Sequence, residues 1–132
     1  MADNTQILKD GYSAFANGDV QAATQNFADD MRWEGSNTDR IPGSGTHTGV
    51  DQIVQNVWAP IPETWDDFSV TPDEFIEDGD TVIVLGHNDA TAKSTGKSVK
   101  VPFVHVWRFE NGKAKRVQTL TDTAVIAEAL ES

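Results

Sequence analysis

The 132-residue chain has no cysteine, one tyrosine and two methionines, and its 10 lysines and arginines face 21 aspartates and glutamates. Without cysteine there is no disulfide, no thiolate nucleophile and no cysteine-ligated zinc. The formal charge of −11 repels phosphate backbones and anionic headgroups, so nucleic acid is not an expected partner. No apolar run approaches the ~20 residues that span a bilayer. The opening MADNTQILKD lacks the basic, apolar, small-residue order of an export signal, so the expectation is a cytoplasmic protein outside the membrane. The glycine-rich GSGTHTG carries no lysine and so makes no phosphate loop, and no nucleophile elbow is present. His47, His87 and His105 show no short-range ligand spacing, so neither a metal nor a cofactor is expected.

What the chain does contain is one domain's worth of patterned sequence, residues 1–132, long enough to bury roughly two-thirds of its unfolded surface. Ile7, Leu8, Gly11, Tyr12 and Phe15 form one helical stripe that Asn17-Gly18 stops. Asp19 caps a second helix carrying Val20, Ala23, Thr24 and Phe27 as far as Ala28-Asp29-Asp30. Met31 to Glu34 reads as a short strand, GSNTDRIPGSGTHTG as a loop, and Ile53, Val54, Val57 and Trp58 as a third helix that ends near Pro60 and Pro62. The period then changes. Phe68 to Ile76, Val82 to Ala92, Ser98 to Phe109 and Ala114 to Thr121 read as four strands of an antiparallel meander, turned at Asp78-Gly79, Thr95-Gly96 and Asn111-Gly112. A last helix from about Asp122 to Leu130 completes an α+β order.

The segments FANGDVQAATQNFADDMRWEG, PGSGTHTGVDQI, VPFVHVWRFENGKAKRVQTL and TDTAVIAEAL, in this order and spacing, resemble the SnoaL-like branch of the NTF2-like, ketosteroid-isomerase-like superfamily. That resemblance implies a cone: a strongly curved antiparallel sheet wrapped on N-terminal helices, with a C-terminal helix and one deep pocket. It also implies a homodimer that pairs convex faces.

Alternation along VPFVHVWRF puts Phe103, His105, Trp107 and Phe109 on one side and Pro102, Val104, Val106 and Arg108 on the other. Matching this strand to ketosteroid isomerases sets His105 at their oxyanion-hole aspartate and Phe103 at an apolar wall. The same matching turns Trp33, Val117, Thr119 and Thr121 toward the cavity and Gln118 and Leu120 toward a partner. The family's aspartate base, however, falls on Gly35, with Glu34 pointing away. Its enolate-binding tyrosine falls on Lys9 or a neighbour, and Tyr12 is out of register with it. Steroid isomerisation by that mechanism is therefore not expected. Kinship to SnoaL-like polyketide cyclases instead nominates Asp122 and His105 for proton transfer.

Each candidate has a plainer alternative. A neutral His105 can take a proton from an acidic carbon or give one to an enolate, and burial among Phe103, Trp107 and Trp33 lowers its pKa; otherwise it is a core histidine satisfied by a neighbour. Asp122 opens the last helix, where capping is the simpler role. His47 sits in a loop that could close over a ligand or merely face solvent. Either His87 or Asn88 faces the pocket, not both, because the length of the Lys93 to Lys97 turn sets the register. Trp33, Trp58, Trp65 and Trp107 supply an aromatic cage or core area. Asp66-Asp67, Asp73-Glu74 and Glu77-Asp78 read as a solvated face.

The expected function is binding of a small apolar or carbonyl-containing ligand, with isomerase- or cyclase-type proton transfer by His105. Trp33, Phe103, Trp107, Val117, Thr119, Thr121 and His47 would form the binding site, and Asp122 would support His105. The alternative is a non-catalytic ligand-binding or dimeric interaction module of the same fold.

Overall fold

Asp3 starts the first helix by accepting a hydrogen bond from the amide of Gln6 at 2.7 Å. The computed structural model describes residues 3–131; Met1 and Ala2, at the head of the segment read for an export signal, and Ser132 lie outside the described residues. Helix α1 spans Asn4–Ala16 and α2 spans Val20–Thr24, capped by Asp19. Strand β1 runs over Phe27–Glu34 and β2 over Thr46–Thr48. Helix α3, Val50–Ile53, continues into a π-helical turn at Val54–Trp58 and then α4 at Pro60–Thr64. Strands β3 (Trp65–Asp78), β4 (Thr81–Ala92), β5 (Ser98–Glu110) and β6 (Lys113–Thr121) precede α5 at Thr123–Leu130.

The six strands form one open, curved sheet in the order β2-β1-β6-β5-β4-β3. β3 to β6 are the expected antiparallel meander, and β1 joins β6 in parallel. The helices cover the concave face. There Leu8 of α1 and Ile53 of α3 pack with Met31, Val82, Val84, Phe103, Trp107 and Val117 in the main core. A smaller cluster under α5 joins Trp65, Ala90, Ala92 and Ala129.

Four boundaries differ from the sequence reading, each for a physical reason. Phe27 is not helical: α2 ends at Thr24, and Phe27 opens β1 opposite Ala114, whose amide donates to the carbonyl of Asn26. A five-residue helix has little stability of its own, so packing against Trp58 and Trp107 decides the matter. The glycine-rich loop contains β2, which pairs Trp33 with His47. The third helix runs through both prolines, because the π turn bonds the Ala59 amide to the carbonyl of Val54 and leaves Pro60 in a first turn, where no amide is needed. Finally, β3 begins at Trp65 and tolerates Pro72 because it is an edge strand with a register shift between Pro72 and Glu74.

Gly86 lets β3 and the Phe103 ring come close to β4. A Cβ there would stand 2.3 Å from the Thr71 carbonyl oxygen and 2.5 Å from Cζ of Phe103. The oxygen belongs to backbone and cannot rotate away. Gly86→Ala is expected to cost about 3 kcal/mol, the upper range for overpacking, measured by urea unfolding followed through tryptophan fluorescence. Unchanged stability would show that β3 shifts freely.

Candidate active-site pocket

The pocket grows from three local patterns. The stripe on α1 presents Ile7, Tyr12 and Phe15, the concave side of β5 presents Phe103, His105 and Trp107, and the segment from the π turn to α4 presents Trp58 and Ile61. Trp33 of β1 and Thr119 and Thr121 of β6 close one wall, and the loop from Ser36 to Ser44 lies at another. The cavity, open at one side, measures about 220 Å³. Aromatic rings in its walls contact one another: Trp58 meets Phe15, Phe27 and Trp33 edge to face, and Trp33 meets Trp107 the same way. Such pairs hold the rings in fixed mutual orientations.

At the centre, Tyr12 and His105, 93 residues apart in the chain, are joined by a 2.6 Å hydrogen bond between the phenol oxygen and Nδ1. Trp107 donates its indole N–H to the same phenol oxygen at 3.0 Å. The phenol proton has no other acceptor among the described residues, so giving it to Nδ1 of the imidazole is the arrangement that satisfies all three groups. His105 is thereby assigned the tautomer with hydrogen on Nε2, and Nε2 has no hydrogen-bond partner among the described residues. Phe103 stacks on the imidazole with centroids 4.0 Å apart and planes within 17°. Burial penalises the charged form and lowers the His105 pKa from 6.5 to about 3. Burial also raises the Tyr12 pKa, with the Trp107 hydrogen bond opposing it in part. Both groups are neutral at neutral pH.

Tyr12, which the sequence reading left out of the candidate site, stands with its hydroxyl against the histidine. Lys9, on the outer side of α1, is exposed and lies 5.5 Å over the Phe75 ring. The Gly35 position is tight: a Cβ would meet the carbonyl oxygens of Gly43 and Gly45, each at 3.1 Å, so a side chain there would require the loop backbone to give way slightly. Glu34 points to the other face, where it pairs with Arg116, which holds its carboxyl below the usual range.

The remaining candidates separate. Thr119 donates to the carbonyl of Glu34 at 3.1 Å and Thr121 to that of Pro102 at 2.8 Å, so toward the cavity both offer lone pairs. Val117 has no exposed surface and does not reach the cavity, because it lies between its pairing neighbours Trp33 and Trp107. His47 sits in β2, not a loop, and bonds the Ser44 carbonyl through Nε2 at 3.0 Å, outside the lining. Asp122 is exposed, accepts the Val125 amide at 3.4 Å as the cap of α5, and does not line the cavity. Leu120 borders the pocket yet is 56% exposed. Asn88, not His87, faces inward; His87 turns out to Asp73 at 2.9 Å and Asp89 at 3.6 Å. No group of three or more histidines, aspartates and glutamates could hold a metal ion among the described residues.

The low pKa of His105 has a thermodynamic consequence. Between pH 6.5 and about 3 the unfolded chain binds a proton there and the folded chain does not. Stability from this group is therefore complete above pH 6.5 and falls as pH drops toward 3. Urea unfolding of wild type and His105→Gln across this range is expected to give a flatter pH dependence for the variant; parallel curves would mean that the imidazole ionises freely in the folded protein.

Comparison with known proteins gives a consistent setting. Residues 8–117 match the SnoaL-like domain. An NTF2-like protein of Burkholderia thailandensis E264 is 33% identical with a TM-score of 0.93, and one of unknown function from Burkholderia pseudomallei K96243 is 34% identical with a TM-score of 0.89; both alignments cover all of each chain. TerC, crystallised with polyporic acid, is 28% identical over 98% of both chains, with a TM-score of 0.87. No curated protein matches the sequence. The extent of the domain match and the end-to-end likeness to NTF2-like structures place this chain in the SnoaL-like family, on the ketosteroid-isomerase-like fold.

Proposed function

We propose that the protein binds a small, mostly apolar carbonyl compound in this cavity and acts on it as an isomerase- or cyclase-type enzyme. His105 handles the proton at the carbonyl oxygen. The observation that carries this reading is the hydrogen-bond chain from Trp107 through Tyr12 to His105, which leaves the Nε2 hydrogen as an uncommitted donor. A carbonyl oxygen accepting that hydrogen becomes more negative as the acidic carbon gives its proton to water and an enolate forms, so the bond strengthens along the reaction and the proton returns from water to carbon. A weakly basic, neutral imidazole suits this donor role better than it suits abstracting a proton. Aromatic walls favour flat ligands. The crystallisation of TerC with polyporic acid supports a small organic ligand for a relative of this shape.

Binding without turnover is the second reading, favoured by Gly35, which stands where the family's aspartate base falls and presents no carboxylate to the cavity. Thermal-shift titration with flat aryl ketones, followed by NMR of deuterium uptake at their acidic carbons, separates the two. Saturating ligand at about 100 Kd should add about 2.7 kcal/mol of stability. The enzyme reading expects uptake in wild type and its loss, by tenfold or more, in His105→Gln. Uptake that survives the substitution rejects His105, and binding without uptake favours the second reading.

We also infer a homodimer through the convex face. Register brings Ile76, Ile83 and Val106 into one row there, and Leu85, Val104 and Leu120 into the next. Ile76 and Leu120 are 43% and 56% exposed, which leaves apolar surface that a second copy would cover around a two-fold axis. Leu120→Asp is expected to halve the mass measured by light scattering; an unchanged mass counts against this face.

A further inference from the structure

The side-chain oxygen of half-buried Asn88 is the one buried side-chain polar atom with no hydrogen-bond partner among the described residues. It lines the cavity, and leaving such an oxygen unsatisfied costs about 1–3 kcal/mol. Among the other donors lining the cavity, Trp107 is committed to Tyr12, Thr119 to the Glu34 carbonyl and Thr121 to the Pro102 carbonyl. The place of Asn88 in the sheet is fixed by register. His105 pairs with Val84, and Asn88 follows four residues later on the same face of β4, about 13 Å along the strand at ~3.3 Å per residue. Between the two lies Gly86, which has no side chain, and the Phe103 ring packs where one would stand. The floor of the pocket is thus a flat apolar strip with a hydrogen-bond donor, His105, at one end and an acceptor at the other.

We propose that Asn88 is the second polar anchor of this pocket and selects ligands carrying a neutral hydroxyl at the end remote from the carbonyl. The inference rests on the reading of His105 given above. An amide oxygen requires a donor, and its N–H groups can return a bond to the hydroxyl oxygen. A carboxylate is disfavoured there, because it would bring its charge against the Asn88 oxygen in a protein of net charge −11, with no lysine or arginine lining the cavity. Sites built to bond a hydroxyl discriminate against analogues that lack it, since the site group is then left unpaired.

The test is calorimetric titration with 4-hydroxybenzylideneacetone, benzylideneacetone and 4-carboxybenzylideneacetone against wild type, Asn88→Leu, Asn88→Ala and His105→Phe. Wild type is expected to bind the hydroxy ketone about tenfold more tightly than the unsubstituted one and the carboxylate most weakly. Both Asn88 variants should bind the first two ketones equally, with the unsubstituted ketone held at least as well by Asn88→Leu as by wild type. His105→Phe should weaken all three ligands while keeping their order. If wild type binds the first two ketones equally, or the hydroxyl preference survives in both Asn88 variants, the role of Asn88 is overturned while carbonyl binding at His105 stands. If wild type binds none of them, both readings fall together.

Discussion

The hydrogen bond between Tyr12 and His105 is the constraint around which the interior of this protein is arranged. A phenol, an imidazole and an indole N–H would each be costly to take out of water singly. Here they satisfy one another, as the indole donates to the phenol and the phenol to the imidazole. Burial then moves the two titratable groups apart, the phenol upward and the imidazole downward, so the centre of the cavity carries no charge. A neutral, oriented ring in a mostly apolar enclosure is a directional hydrogen-bond donor, and that makes the pocket more selective than its shape alone.

The surrounding scaffold keeps the ring in place from two sides. Phe103 stacks beneath it and can do so only because Gly86 yields the space of a side chain. Across the cavity, Trp58 ties the π turn to Phe15, Phe27 and Trp33, so helix, strand and turn share one aromatic network. Mutually edge-on rings resist sliding more than aliphatic chains of equal area, because their quadrupoles prefer particular angles. The loop closing onto Gly35 completes the enclosure through its backbone: the Gly35 amide donates to the Gly45 carbonyl at 2.8 Å, and the Gly45 amide to that of Ser36 at 2.9 Å.

Much of this was legible in the sequence, and the limits are instructive. Strand alternation is a local property, so the common face of Phe103, His105 and Trp107 could be read directly. The meander and the order of the elements could be read from periodicity and turn residues. Tyr12 could be placed on the inner stripe of α1, but not against His105, since helical period fixes a direction and not the depth or rotation at which the helix docks. The choice between His87 and Asn88 turned on a loop whose closing bonds, from the amides of Ala92 and Gly96 to the carbonyls of Lys97 and Ala92, depend on the finished hairpin. Matching to ketosteroid isomerases turned Val117 toward the cavity but could not tell that it lies covered between its pairing neighbours Trp33 and Trp107. The helix passing Pro60 and Pro62 relies on a π turn, for which these residues carry no signature.

Because the sheet never closes into a barrel, β3 leaves one long margin of backbone without a neighbouring strand. Unpaired margins of this kind invite other chains to add themselves as extra strands. Along this one, Pro72 removes a donor, register shifts interrupt the row of amides, and the exposed carboxylates of Asp66, Asp67, Asp73, Glu74, Glu77 and Asp78 crowd the approach. The same acidity thus lines the open flank with like charges, which oppose strand addition by a second copy of the chain.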